Sequence, residues 1–218
     1  MRYQAALRPD NLRIAAEKAR LAIIAKRGYV YNRGMAAAAQ YAVVCYLDGE
    51  LAAFVESLRR ELAPEQAHLR AHITLLPPRR PEISEDKAGA FVRSIAESSA
   101  AVPVTLGEKP DTFLPVSPTI YFPIATGAER LCHLHDGLNA GALLATEPWP
   151  YVPHVTAANL PNPGQTRSDL QLCAARWKNY SGPRRFVVNQ LVVVREEPSG
   201  RWLDLARFSL ESEAAAQL

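Results

Sequence analysis

The order of predicted elements indicates a mixed helix-and-strand protein built from two similar halves. Apolar, β-branched runs alternate with amphipathic segments, and each half reads strand, helix, strand. In both halves the second strand carries a histidine followed two residues later by a threonine. Tyr41 precedes His72 by 31 residues, and Tyr121 precedes His154 by 33. This near-equal spacing predicts duplicated halves around a pseudo-two-fold axis, each too small to bury its own sheet face alone.

The first half opens with a short apolar run, YAVVCYL, which predicts a buried strand. The next segment, GELAAFVESLRREL, places its large apolar side chains on one helical stripe and stops before Pro64. The strand AHITLL is expected to end at Pro77-Pro78, because proline lacks the backbone N–H that a sheet needs. The predicted elements are therefore a strand at 41–47, a helix at 49–62, a strand at 71–76 and a helix at 84–99.

The second half repeats this order and adds a C-terminal hairpin. Its histidine lies in the run YVPHVTAANL, which predicts a strand. The apolar run RFVVNQLVVVREE and the following WLDLARFSL are expected to pair as the terminal hairpin. The predicted elements are strands within 102–108, 111–116 and 119–125, a helix at 127–144, a strand at 151–160, a helix at 166–178, and hairpin strands within 185–197 and 202–210.

Charge is distributed unevenly along the 218 residues. Residues 1–34 carry eight Lys/Arg and two Asp/Glu, a net of +6, whereas the remainder carries a net of −3. The main body is therefore not a generic basic nucleic-acid binder, and phosphate recognition must come from a local site. We interpret 1–34 as a basic appendage with a loose helix at 10–27, preceding a domain at 35–218. The alternative is a basic targeting or RNA-contacting arm.

Several classes of protein are disfavoured by composition. No apolar run approaches the ~20 residues that cross a bilayer, and the N-terminus does not resemble a signal peptide. The three cysteines are odd in number and widely spaced, which argues against a disulfide framework or a zinc site. No phosphate-binding G-x-x-x-x-G-K-[ST] loop is present, which argues against ATP use. We expect a cytoplasmic monomer that needs neither a metal nor another cofactor.

The two His-x-Thr pairs carry the predicted chemistry. In a strand, residues i and i+2 share a face, so His72 lies beside Thr74, and His154 beside Thr156. An imidazole with an ordinary pKa near 6.5 gives or takes a proton at neutral pH, and a hydroxyl can donate to a phosphate oxygen. Two such pairs facing one cleft supply a base, an acid and two donors, which in-line attack on phosphorus requires. The alternative is that both pairs are buried polar residues of the core.

The segments AHITLLPPRR and YVPHVTAANL resemble the paired H-x-T-x motifs of the two-histidine (2H) phosphoesterase superfamily, in particular its 2′-5′ RNA ligase-like (LigT-like) branch. The resemblance covers about residues 40–210. It implies a bilobal α+β fold with central antiparallel sheets, outer helices, a concave cleft and no metal. It also implies action on 2′,3′-cyclic phosphates or 2′-5′ linkages of RNA or small nucleotides. The fourth motif position is apolar in both segments, although Ala157 is smaller than usual.

Other polar and aromatic residues are weaker candidates. Arg79 follows the first motif and could neutralise substrate phosphate, although a solvated loop is an equal alternative. Tyr121 could stack on a base, but an aromatic residue in a strand usually packs in a core. His133 and His135 diverge on their predicted helix and are interpreted as solvated, and His68 as an exposed loop residue.

The resulting hypothesis is hydrolysis of a cyclic phosphodiester to a 2′-phosphate. We assign His154 as the base and His72 as the acid, although the pseudo-symmetry also allows the reverse. Two alternatives remain open. One is the reverse reaction with a 5′-hydroxyl, which would form a 2′-5′ linkage without ATP. The other is a non-catalytic module of the same fold that binds RNA ends or nucleotides.

Overall fold

The computed structural model describes residues 39–81 and 83–211, which form a nine-stranded sheet and four α-helices. The predicted appendage at 1–34, with its helix at 10–27, lies outside these residues. The strands are β1 (Tyr41–Tyr46), β2 (His72–Arg79), β3 (Val102–Leu106), β4 (Asp111–Thr112), β5 (Thr119–Thr126), β6 (His154–Asn159), β7 (Arg185–Val188), β8 (Gln190–Glu196) and β9 (Trp202–Ser209). The helices are α1 (Gly49–Leu62), α2 (Glu85–Glu97), α3 (Ala128–Leu138) and α4 (Pro163–Asn179), with 3₁₀ turns at Pro64–Gln66 and Gly141–Leu143.

The strand order is symmetric about the centre of the sheet. It runs β7-β3-β5-β6-β2-β1-β8-β9, with β4 paired to β5, and neighbouring strands are antiparallel. The two histidine-bearing strands, β2 and β6, meet in the middle with Ile73 opposite Val155. The first lobe therefore consists of β2, β1, β8 and β9, and the second of β6, β5, β3 and β7. This arrangement confirms the predicted duplication.

The helices cover one side of the sheet and form the core with it. The apolar stripe of α1 is buried as predicted, including Leu51 and Val55, and each such side chain contributes roughly 1.5–3 kcal/mol by leaving water. The side chains between the histidines and threonines, Ile73 and Val155, are fully buried. The opposite side of the central strands is therefore left for the His-x-Thr pairs. Within the described residues, no helix is long and apolar enough to span a membrane.

Strand β2 continues through Pro77-Pro78, whereas the sequence predicted that it would end there. Its pairing with β6 is limited to Ile73, so the edge of β2 beyond that residue has no strand partner. A missing proline N–H costs no ladder hydrogen bond on such an edge. The prediction failed because it treated β2 as fully paired on both sides.

Two helix boundaries also differ from their predictions. Helix α4 begins three residues earlier than expected because the Asn162 side chain accepts a hydrogen bond from the Gln165 N–H (2.9 Å) and Pro163 occupies the first turn. Helix α3 ends at Leu138, well before residue 144. The following turn is stabilised by Asn139, whose side-chain oxygen accepts from the Ala145 N–H (3.0 Å).

The predicted terminal hairpin is partly confirmed. Strands β8 and β9 pair as expected, but residues 185–188 form β7, which pairs with β3 in the second lobe. The chain thus passes from one lobe to the other at Asn189. Val188 and Leu191, on either side of this crossing, are both fully buried. Apolar residues occur on both sides of Asn189 because both parts of the run contribute to the core, so its apolar composition did not reveal the break.

Candidate active site

The four motif residues lie on one side of the two central strands. Pairing of Ile73 with Val155 in an antiparallel ladder places His72 beside Thr156 and His154 beside Thr74. All four side chains are half-buried, while the residues between them are fully buried. A proton on His154 lowers the pKa of His72, so the two imidazoles interact electrostatically. The fold therefore brings both predicted pairs together at the boundary of the lobes.

Both imidazoles are held by the same local hydrogen bond. The Nδ1 atom of His72 is 2.7 Å from the carbonyl oxygen of Arg70, and Nδ1 of His154 is 2.6 Å from that of Val152. A carbonyl can only accept, so Nδ1 carries a proton in each ring. In the neutral form Nε2 is therefore the basic nitrogen. Each histidine presents the same atom for proton transfer.

The threonine hydroxyls are free, whereas the backbone behind them is fixed. Neither hydroxyl forms a hydrogen bond within residues 39–81 and 83–211, so both can donate to a ligand. The carbonyl of Thr74 accepts from the Tyr151 hydroxyl (3.0 Å), and that of Thr156 accepts from Nη2 of Arg59 (2.5 Å). Each of these donors comes from the opposite half of the duplication. Side-chain bonds thus join β2 and β6, whose backbone pairing is short.

Arg59 links both His-x-Thr pairs and was missed from the sequence. Its side chain is only 2% exposed, and Nη1 donates to the carbonyl oxygens of Leu69 (2.6 Å) and Arg70 (3.1 Å). The Arg70 carbonyl also holds the His72 ring. One guanidinium therefore positions both the segment that precedes His72 and strand β6, which carries His154. The available signal was an arginine four residues after Val55, within the apolar stripe of α1.

Burial keeps both histidines neutral at pH 7. It lowers the pKa of His72 from 6.5 to about 4, opposed by the Arg70 carbonyl and helped by the nearby charges of Arg59, His154 and Arg70. Burial likewise lowers the pKa of His154, against the hydrogen bond to Val152. A phosphate anion bound between them would raise both pKa values, because it would favour the charged imidazolium.

Aromatic residues flank both histidines, but in different ways. The Tyr121 ring lies 5.3 Å from that of His154, as its assignment to the site requires, yet it is buried and stacked on Phe113 (4.1 Å). Tyr46 lies 6.3 Å from His72, and the Arg70 guanidinium covers its ring at 3.8 Å. A cavity of about 370 Å³ opens beside His72, in the first lobe.

Arg79 does not join this group. Its guanidinium is buried and donates to the Glu147 carboxylate (2.6 Å), the Asn139 side chain (2.6 Å) and the Leu143 carbonyl (2.7 Å). With its donors engaged in the protein, it has a structural role, and we propose no phosphate contact for it.

Of the two histidines on α3 that were predicted to be solvated, one lies on the surface and the other in the core. His133 is exposed as expected, whereas the prediction was wrong for His135, which is 4% exposed. Its Nδ1 lies 2.9 Å from the Leu75 carbonyl, and its ring stacks on Tyr151 at 4.0 Å. This stack supports the tyrosine that fixes Thr74. His68 is exposed as expected, and it lines the cavity beside His72.

Comparison with known proteins identifies the family. The model of the 2′-5′ RNA ligase superfamily matches residues 47–200, which include both motifs. The chain belongs to this superfamily. A candidate phosphoesterase of Bacillus licheniformis is 35% identical over 121 residues, covering 55% of this chain and 70% of the relative. Another, from Halalkalibacterium halodurans, is 27% identical over 177 residues, covering 79% and 98%.

Solved structures of the LigT type share the fold. Escherichia coli LigT complexed with phosphate aligns with a TM-score of 0.51 and 16% identity, covering 78% of this chain and 96% of that chain. The complex of LigT with 3′-AMP gives the same score and identity, covering 78% and 97%. A crystal structure described as a phosphoesterase also scores 0.51, at 14% identity. The predicted bilobal, LigT-like α+β fold is confirmed, and the chain is of the 2H phosphoesterase type.

Proposed function

We propose that the protein is a metal-independent phosphodiesterase that opens 2′,3′-cyclic phosphates of RNA ends or small nucleotides, leaving a 2′-phosphate. One observation carries this proposal: two imidazoles with the same free nitrogen, each beside an unbonded threonine hydroxyl, lie on adjacent central strands. A binding module would need donors and cations, but not two groups that exchange protons near neutral pH.

In the proposed reaction His154 is the base and His72 the acid. Nε2 of His154 takes a proton from water, whose oxygen forms a bond to phosphorus. The bond from phosphorus to the ribose 3′-oxygen breaks. His72 enters the reaction protonated at Nε2, because the bound phosphate anion raises its pKa, and it gives that proton to the oxygen. Thr74 and Thr156 donate to the non-bridging oxygens, where negative charge accumulates. Both rings keep their Nδ1 protons on backbone carbonyls, so neither has to rotate during the reaction.

The same arrangement would also accept a different nucleophile. With a 5′-hydroxyl in place of water, its oxygen would bond to phosphorus as the bond to the 3′-oxygen breaks, which forms a 2′-5′ linkage without ATP. Water is present in large excess, so hydrolysis dominates for free nucleotides. LigT relatives of known structure bind phosphate, 3′-AMP and ATP, which supports a nucleotide or RNA-end substrate for this chain.

The decisive experiment is an assay of adenosine 2′,3′-cyclic phosphate in the presence of EDTA. We expect turnover to 2′-AMP that chelation does not reduce, with His72→Ala and His154→Ala each lowering kcat by at least ~10²-fold. His133→Ala, an exposed histidine, serves as the control and should leave kcat unchanged. Activity that is lost with EDTA and restored by a divalent metal would move the reaction to another class. Tight binding of the nucleotide without turnover would instead support the non-catalytic alternative.

A further inference from the structure

The two lobes differ on the side of the sheet that carries the histidines. In the second lobe β4 pairs with β5, and Phe113 stacks on Tyr121 beside His154, so aromatic side chains already fill this region. In the first lobe no such segment covers the equivalent surface among the described residues, and the 370 Å³ cavity lies there. The pseudo-symmetric sheet thus has an asymmetric site, with stacked aromatic rings beside His154 and a cavity beside His72.

The volume and lining of this cavity suit a flat organic group joined to an anion. Its volume falls within the ~300–1,000 Å³ typical of small-molecule sites. Small buried side chains on β1 and β8 form an apolar floor: Ala42, Val44 and Val194. Trp202 packs against this floor as one wall, and the cavity opens onto His72 and Thr74.

Trp202 packs on the apolar floor but makes fewer specific contacts than the tryptophan in the core. The indole N–H of Trp177, in the core, donates to the Gly107 carbonyl (3.0 Å), and its ring contacts three other aromatic rings. Trp202 is half-buried, and within residues 39–81 and 83–211 its ring stacks on no aromatic ring or guanidinium and its N–H has no hydrogen-bond partner. A large aromatic surface with a free donor, lining the same cavity as His72 and Thr74, is typical of a stacking platform for a base.

Polar and charged side chains line the same cavity, among them Tyr46, Arg70 and Asp204. The Arg70 guanidinium is held over the Tyr46 ring, and its side chain remains 51% exposed. Tyr46 in turn donates to the Asp204 carboxylate, which also accepts from Arg207 (2.7 Å). The cavity lining therefore combines an aromatic wall, a fixed polar group and a cation with the His-x-Thr pair. A nucleotide offers a matching set of groups: an aromatic base, a polar ribose and an anionic phosphate.

We propose that this cavity binds the nucleobase of the substrate on Trp202, so that the nucleoside lies over the first lobe, on the His72 side. This inference rests on the proposed function and makes its substrate a nucleoside cyclic phosphate rather than any cyclic phosphodiester. It also places the departing ribose oxygen next to His72 and the attacking water on the side of His154. The second lobe, filled by Phe113 and Tyr121, contributes the base catalyst and no nucleobase site.

The test compares ligands with and without a base. Wild-type protein should bind 3′-AMP at least ~10-fold more tightly than glycerol 2-phosphate, with quenching of tryptophan fluorescence. Trp202→Ala should remove this preference, while Trp202→Phe, which keeps a ring, should retain most of it. Leu203→Ala is the matched control, because Leu203 is an exposed neighbour on β9 that does not line the cavity; it should bind like wild type.

Kinetics separate this inference from the proposed function. Trp202→Ala should raise KM for adenosine 2′,3′-cyclic phosphate at least ~10-fold and leave kcat/KM for glycerol 1,2-cyclic phosphate unchanged. Equal loss on both substrates, or equal binding of 3′-AMP and glycerol 2-phosphate by wild type, would overturn the nucleobase site even if hydrolysis is observed. Base-dependent binding through Trp202 without hydrolysis would support the site and contradict the proposed reaction.

Discussion

At the residue scale, the two catalytic candidates are built from local structure. Each histidine opens its strand, and its Nδ1 bonds to the carbonyl two residues earlier, at Arg70 in one half and Val152 in the other. A contact between residues so close in sequence forms whenever the strand does. It needs no long-range partner to select the tautomer. The repetition of this contact in both halves leaves two equivalent Nε2 atoms, which differ only in what surrounds them.

The roles of the two histidines can be separated with a substrate whose leaving group needs no proton. On a p-nitrophenyl phosphodiester of a nucleotide, His72→Ala should lose far less activity than on the cyclic phosphate, because its acid function is no longer needed. His154→Ala should lose activity on both substrates, since water must still be deprotonated. The measurement is kcat/KM for both variants on both substrates. The opposite pattern would exchange the roles of the histidines.

Replacing either threonine hydroxyl should reduce catalysis without reducing stability. Thr74→Val and Thr156→Val each remove one hydrogen bond to a charged phosphate, which corresponds to roughly 1.5–3 kcal/mol of transition-state stabilisation. The hydroxyls have no protein partner in the described residues, and valine suits a strand. We therefore expect kcat to fall at least ~10-fold with an unchanged urea midpoint. Equal losses of stability and activity would show that the hydroxyls serve the fold instead.

At the element scale, the shortest backbone pairing at the centre of the sheet lies at the proposed active site. Strands β2 and β6 pair through Ile73 and Val155 alone, so little backbone bonding holds the two lobes together. Helix α1 compensates through Arg59, and the segment before β6 does so through Tyr151. Because the strands separate on either side of this single pair, their side chains can flank a ligand. Side-chain bonds therefore replace a backbone ladder here.

Removing the Arg59 guanidinium should weaken both the fold and the reaction. Arg59→Met would leave partly buried carbonyls at Leu69, Arg70 and Thr156 without this donor, at up to about 1–3 kcal/mol for each unsatisfied group. Urea denaturation should show a lower midpoint, and kcat should fall in the protein that remains folded. Arg60→Met changes the exposed neighbour on the same helix and should match wild type. A midpoint for Arg59→Met equal to that of Arg60→Met would contradict the linking role.

The residues that could be predicted from the sequence depend on local spacing, whereas those that were missed depend on contacts between distant segments. His72, Thr74, His154 and Thr156 were predictable because a two-residue period in a strand is enough to put each pair on one face. Arg59 and the proposed platform residue Trp202 were not, because the site residues near them lie far away in sequence. Arg79 was placed by its proximity to the first motif, but the fold turns it toward Glu147. Proximity along the chain is a poor guide wherever a strand separates two residues onto different sides.

At the scale of the whole molecule, burial of the two histidines lowers the free energy of unfolding in acid. Both histidines are held where burial disfavours their charged forms, so the folded state binds fewer protons than the unfolded state below pH 6.5. The stabilising contribution of neutral His72 is complete above pH 6.5 and is lost as pH falls toward 4. An imidazole placed for proton transfer thus makes the folded protein sensitive to acid.

This linkage predicts a steeper loss of stability in acid for wild type than for a variant lacking the imidazole. Between a pKa of 6.5 in the unfolded chain and about 4 in the folded protein, the loss is at most about 3 kcal/mol. His72→Gln should therefore show a smaller fall in its free energy of unfolding between pH 7 and pH 4 than wild type. His133→Gln, at an exposed position, should follow wild type. Parallel curves for wild type and His72→Gln would show that His72 titrates as in the unfolded chain.

The sequence alone determined the duplication, the order of most helices and strands, and the two His-x-Thr pairs, because these depend on local periodicity and spacing. Only the tertiary structure decided which surfaces meet. It placed β7 and β8, which come from one apolar run, in different lobes, and it buried the Arg79 side chain. It brought Arg59 from α1 to both histidine-bearing segments. It also filled one lobe beside its histidine and left a cavity beside the other. Such asymmetry arises from packing between distant segments, so it cannot be predicted from a motif that is the same in both halves.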